Sequence, residues 1–142
     1  MDADQDAVKD VVTECAAGSE EARLTFPQVV AMLEEAGVER YHADLSRSEI
    51  TYYLPDGASH VVAGAAAGGP SARDFSAAGI AAAIRASQAG DITYKEFCKR
   101  IAAAGCVGYV VSLAGRRAVY SGRTGDSHVE PFPAAGPAPA RP

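Results

Sequence analysis

What the chain has little of bounds its function first. Lysine and arginine number 13 against 18 aspartates and glutamates, giving a formal charge of −5 and a pI of about 5.1. Binding along a nucleic-acid backbone needs a basic face to displace phosphate counterions, so this balance argues against nucleic acid as the main partner. No stretch approaches the roughly 18 consecutive apolar residues of a membrane-spanning helix, and no membrane partner is expected. The start, Met1-Asp2-Ala3-Asp4-Gln5-Asp6, has neither the basic nor the apolar segment that directs export, so cytoplasmic residence is expected. Cysteine is scarce. Cys15, Cys98 and Cys106 are odd in number and lack CxxC spacing, which argues against a disulfide framework and for small buried thiols in a reducing compartment. Signatures of the commoner catalysts are missing as well: there is no Walker-type loop, GxSxG or HExxH. The glycine-rich run from Gly64 to Gly69 lacks the lysine and the strand-to-helix context of a phosphate cradle.

What is there is repetition. Leu24 to Leu45, LTFPQVVAMLEEAGVERYHADL, returns without a gap as ITYKEFCKRIAAAGCVGYVVSL at Ile92 to Leu113. An offset of 68 (93 − 25) superposes Thr25 on Thr93, Gly37 on Gly105, Tyr41 on Tyr109 and Tyr52 on Tyr120, and carries Ser59-His60-Val61 onto Ser127-His128-Val129. A shared offset over so many residues implies one supersecondary unit, copied and packed against itself. With 142 residues, 48% of them hydrophobic, the chain has enough apolar surface for one buried core. A single domain over residues 1–133 is expected, built from repeats at about 5–63 and 73–131.

Each repeat reads as helix, helix and three strands. Val8, Val11, Val12 and Cys15 fall at helical spacing over residues 4–17, with Gly18 placed to stop that helix. Thr25 with Gln28, and Thr93 with Glu96, form capping boxes at the starts of the second helices, which end on Gly37 and Gly105. The period then changes to two. Tyr41, Ala43 and Leu45 share one face of a strand, and Ile50, Tyr52 and Leu54 one face of the next. A third strand covers residues 59–63, and the second copy follows the same order. Ser76 caps an alanine-rich helix with Ile80 and Ile84 on one stripe. The linker from Gly64 to Ser71 has few large side chains with which to anchor itself, and the Pro/Ala-rich tail, 134–142, is expected to be disordered. The fold class is α+β: two pseudo-twofold-related repeats, with an antiparallel sheet and helices packed on one face. The expected core is Val8, Val12, Phe26, Val29, Leu33, Tyr41, Leu45, Ile50 and Tyr52, with Ile80, Ile84, Phe97, Ile101, Tyr109, Leu113 and Tyr120.

The motifs TFPQVVAMLEEAGVERYHADL, TYYLPDGASHV, ITYKEFCKRIAAAGCVGY and GRTGDSHVEPFP together resemble family 1398 of the domains of unknown function, small bacterial proteins. Members sometimes carry the label phage envelope protein, which implies a phage or prophage origin. The resemblance brings no catalytic residue, substrate or cofactor.

Histidine placement supplies the candidate sites. His60 and His128 are repeat equivalents; if they meet near the axis they form a weak metal candidate with a carboxylate such as Asp126 or Glu130. The alternative is that each holds its own turn by a hydrogen bond. With Tyr53 they are also the candidates for ligand binding. His42, flanked at i±2 by Arg40 and Asp44, has the spacing in which a carboxylate orients an imidazole for acid-base work, so these three are the catalytic candidates. Alternating polar residues on a strand are equally the mark of a solvated sheet face. Where the first half has Arg40, His42, Asp44, Glu49, Thr51 and Tyr53, the second has Gly108, Val110, Ser112, Arg117, Val119 and Ser121, a smaller and more apolar surface. Val110 and Val119 are therefore expected to be covered, by the chain or by another subunit, and a homodimer through the second half satisfies this. The paired tyrosines read as core. No cofactor and no resident metal are expected. The reading is a binding or interaction module without catalysis; the alternative is a metal-assisted or acid-base hydrolase of a small molecule.

Overall fold

The computed structural model describes residues 2–67 and 69–132; the tail at 134–142, read as disordered, lies outside the described residues. The chain runs α1 (Asp2–Glu20), α2 (Phe26–Glu35), β1 (Arg40–Asp44), β2 (Glu49–Tyr53), β3 (Ser59–Ala63), α3 (Ala77–Gln88), α4 (Tyr94–Ala103), β4 (Cys106–Ser112), β5 (Arg117–Gly122) and β6 (Ser127–Pro131). The strands make one antiparallel sheet in the order β3-β2-β1-β4-β5-β6, so the fold is α+β. Registers in the two halves coincide at the 68-residue offset: Tyr41 faces Tyr52 as Tyr109 faces Tyr120, and Tyr52 faces His60 as Tyr120 faces His128. In the central β1–β4 pair, Arg40 opposes Ser112, Asp44 opposes Gly108, and His42 opposes Val110 at the middle.

Burial explains why the helices lie where they do. Alternate residues of each central strand are removed from water (Tyr41 and Ala43, Ile50 and Tyr52, Tyr109 and Val111, Ala118 and Tyr120), and the same cluster contains Val12 and Cys15 of α1, Leu33 of α2, Ile80 and Ile84 of α3, and Phe97 and Ile101 of α4. One face of the sheet is thus covered. The other belongs to the residues in between, which are half-buried or exposed except for buried Gly108. Phe26, expected in the core, is 39% exposed: as the first residue of α2 it points past the sheet and meets Phe132 edge-to-face at 5.4 Å.

Three local expectations change. Gly18 does not stop α1, which runs on to Glu20; Leu24 folds back directly onto this glycine, where any side chain would collide with it. The capping box is complete only at Thr25, whose hydroxyl accepts from Gln28 N–H while Gln28 Oε1 accepts from Thr25 N–H at 2.8 Å. At Thr93 the hydroxyl caps Glu96 N–H at 3.2 Å, but the Glu96 carboxylate accepts from Arg100 at 3.0 Å instead. Finally, the linker is anchored. Its small residues let the backbone approach the end of α4: Ala72 N–H donates to Ala102 O at 2.9 Å, Ser76 N–H to Ala104 O at 2.7 Å, and buried Ser71 donates to Cys106 O at 2.6 Å. Ala65 is fully buried. Backbone bonds supply what large side chains do not.

Candidate functional site

The uncovered face is organised by register. Because opposed residues point to the same side of a sheet, its pairings define three rows crossing all six strands. The middle row reads Val61, Thr51, His42, Val110, Val119, Val129. One flank reads Ser59, Tyr53, Arg40, Ser112, Arg117, Pro131, and the other Ala63, Glu49, Asp44, Gly108, Ser121, Ser127. The middle row is almost wholly β-branched, and its ends, Val61 and Val129, are 55% and 49% exposed. Val110 and Val119, expected to be covered, stand half-buried among their row neighbours on the side opposite the helices.

At the centre of this face His42 lies against Gly108, where a Cβ would come within 3.2 Å of His42 Nε2 and 2.8 Å of Ala43 O. The register shift between Cys106 and Gly108 accompanies this close approach. Leaving out one side chain opens a depression of about 270 Å³ lined by His42, Asp44, Ser46, Val110 and Ser121, among others. It offers an imidazole, a carboxylate and two hydroxyls. Its members are not wired for catalysis: Asp44 Oδ1 accepts from Ser46 N–H at 3.0 Å and Arg47 N–H at 3.1 Å, so it closes the β1–β2 turn rather than orienting His42. Among the described residues the His42 imidazole forms no hydrogen bond. Arg40 turns away, with its guanidinium 4.0 Å from the centre of the Tyr53 ring and its Nε 3.1 Å from Glu39. The candidates Arg40, His42, Asp44 and Tyr53 therefore share a face without forming an acid-base unit.

His60 and His128 lie apart. They sit on β3 and β6, the opposite edges of the sheet, five strand spacings or about 24 Å from one another. Two imidazoles so placed do not reach one ion, and the shared metal site is corrected on that ground. Nor does either hold its turn: His60 Nε2 bonds Gln5 Oε1 at 3.0 Å, tying β3 to α1, and His128 Nε2 bonds Glu130 Oε1 at 3.0 Å on its own strand. Among the described residues no three His, Cys, Asp or Glu side chains stand together as a metal site.

The remaining reactive groups are inside. Burial pushes the Cys15 and Cys106 thiols up to about 11 and Cys98 up to about 12. Tyr94 and Tyr109 share a hydrogen bond at 2.8 Å between hydroxyls, and burial raises both well above the ordinary phenol range. None of these is poised as a nucleophile at neutral pH. A second cleft, of about 760 Å³, opens between α1, the end of α2 and the β2–β3 turn, lined by Val8, Val11, Met32, Glu35, Leu54 and Asp56 among others.

The sequence profile of the family described as a protein of unknown function (DUF1398) matches residues 18–129, from the last turn of α1 into β6. The chain belongs to this family. The matched span contains the whole uncovered face but the end of β6, together with all three histidines. No curated protein matches the chain. Sequence reasoning missed Val61 and Val129 and the part Gly108 plays. The signal for Gly108 was present in the contrast between the halves, where a glycine stands at the position of Arg40.

Proposed function

We propose that this protein is a non-catalytic interaction module that works through its uncovered sheet face. The observation that carries the reading is the middle row, which sets four valines and a threonine around His42 across all six strands, with polar residues on both flanks. Antiparallel sheets with one solvated face ordinarily alternate apolar inside with polar outside. A continuous β-branched line with polar rims is instead the composition of a contact surface. The two halves descend from one duplicated unit, a reading supported by the 68-residue offset in sequence and the coincident registers. Work in a reducing cytoplasm is supported by three free, buried cysteines, and a phage or prophage origin by the label that family members carry.

The test is hydroxyl-radical footprinting of the chain in an extract of the cells that make it, against the purified chain at high dilution. Lower modification of Val61, Val119 and Val129 in the extract is expected. Equal modification in both overturns the reading. The depression at Gly108 favours a second reading, hydrolysis of a small molecule with His42 as base. For that, turnover of a small ester or phosphoester panel has to appear and has to disappear in His42→Ala.

A further inference from the structure

We infer that the partner for the uncovered face is a second copy of the chain, the two sheets meeting face to face about a twofold axis laid along the middle row. The inference rests on the interaction-module reading and names its partner. Its basis is the distribution of charge about that row. Arg40 and Arg117 stand in one flanking row; Asp44 and Glu49 stand in the other. Rotation by half a turn about the middle row exchanges the flanks between copies while leaving each strand opposite its counterpart. Arg40 of one copy then lies over Asp44 of the other, and this happens twice.

Within one copy the same two residues are about 13 Å apart along β1, with His42 between them. They form no ion pair there among the described residues. Asp44 spends Oδ1 on the turn, which leaves its second oxygen without a hydrogen bond among the described residues, and Arg40 has only the exposed Glu39 as a charged partner among them. Glu49 already has Arg47 at 3.0 Å, so the Arg40–Asp44 pair, not the outer charges, sets the register. Packed sheets lie about 10 Å apart and cross at about −30°. Near the centre such a rotation moves facing residues by less than one strand spacing, so the pair survives it. The middle-row side chains meet their own counterparts, Val110 on Val110.

Size sets the strength. Six strands about 4.8 Å apart and five residues long span about 24 by 17 Å, or about 400 Å² of plan area per copy. Over both copies that is about 800 Å², below the roughly 1,200 Å² at which stable specific interfaces begin, so the dimer is weak and reversible.

Sedimentation of the full chain from about 1 µM to about 1 mM covers the range in which an interface of this size associates. Concentration-dependent dimer is expected for the parent. Arg40→Asp and Asp44→Arg should each lower the association constant by about tenfold or more, because each sets like charges face to face. Mixing the two variants should restore association as a heterodimer, since every reversed charge then meets its opposite. Asp44→Arg also removes a turn cap and could unfold, so Val110→Cys provides an independent reading. A short bismaleimide should link the two facing thiols across the roughly 10 Å between sheets, a gap too wide for a disulfide, the three native cysteines being buried. A parent that stays monomeric at every concentration overturns the inference. So does a dimer indifferent to Arg40→Asp, as expected for an axis along the strands that sets Val110 over His42 and Arg40 over Ser112, or one in which bismaleimide does not link Val110→Cys. If footprinting shows protection in extract while the purified parent stays monomeric, the second copy is the wrong partner and the interaction module stands. If neither is seen, both fall.

Discussion

At the scale of single residues, equivalent positions can carry unequal loads. Gly37 and Gly105 end α2 and α4 with φ of +87° and +95°, a left-handed conformation that costs an alanine about 1–2 kcal/mol. Around Gly37 there is open space. A Cβ on Gly105 would run into the backbone of Asp74 and Phe75, where the linker crosses the end of α4. Gly37→Ala should therefore cost only the conformational amount, whereas Gly105→Ala adds overpacking and should cost roughly 2–5 kcal/mol in all. Urea unfolding of the two variants checks this. Equal losses would mean that the linker yields freely and that its bonds to Ala102 and Ala104 hold little. The depression beside His42 likewise borders a glycine without spare room, since a Cβ on Gly108 would come within 3.2 Å of His42 Nε2 and 2.8 Å of Ala43 O.

At the scale of elements, the helix caps show what sequence can and cannot reveal. A threonine three residues before a polar partner identified both starts, because the N-cap bond is local and needs only its own hydroxyl. Thr25→Ala and Thr93→Ala should each cost about 0.5–2 kcal/mol. The reciprocal bond depends on competition: Glu96 has Arg100 one turn on, and Gln28 has no such partner among the described residues. Gln28→Ala should thus weaken its cap, while Glu96→Ala should cost only an exposed i,i+4 pair, about 0.3–0.5 kcal/mol. Thermal melts of the four variants distinguish the cases, and a loss for Glu96→Ala matching that for Gln28→Ala would restore the second box. The same logic accounts for the other misreadings. Gly18 reads as a stop because its intrinsic propensity is poor, yet contact with Leu24 six residues later favours glycine there. The linker lacks large side chains and so reads as loose, but it is held by backbone bonds to the end of α4 and by the Ser71 hydroxyl on β4, 35 residues away, which composition does not encode. Strand order was legible only within each half. That β1 pairs with β4, placing His60 and His128 at opposite edges, is a long-range choice that local patterns do not specify.

At the scale of the whole molecule, titratable groups are divided between the two sides of the sheet, and the division predicts how stability depends on pH. The covered side holds three thiols and Tyr41, Tyr52, Tyr94, Tyr109 and Tyr120, all raised in pKa chiefly by burial. In the unfolded chain the thiols titrate near their ordinary 9.0, and in the folded chain near 11 to 12. As pH climbs the unfolded chain therefore loses protons first. The stability tied to these groups is complete below about pH 9 and is lost as pH rises through the folded values, with the tyrosines adding to the fall above pH 10. A melting temperature that is level from pH 7 to 8.5 and drops steadily by pH 10.5 is expected. At pH 8 a thiol reagent should modify none of the cysteines in the native chain and all three in urea. A melt that holds to pH 10.5, or rapid native labelling, would mean that the covered side is wetter than its packing implies. The uncovered side keeps a different chemistry, Arg40, His42, Asp44 and Glu49 around a line of valines. Alkaline pH should therefore dissolve the core without first dissolving the proposed dimer: association measured at pH 8.5 should match that at pH 7.5. A dimer that weakened over that interval would tie the contact to core groups rather than to the Arg40–Asp44 rows.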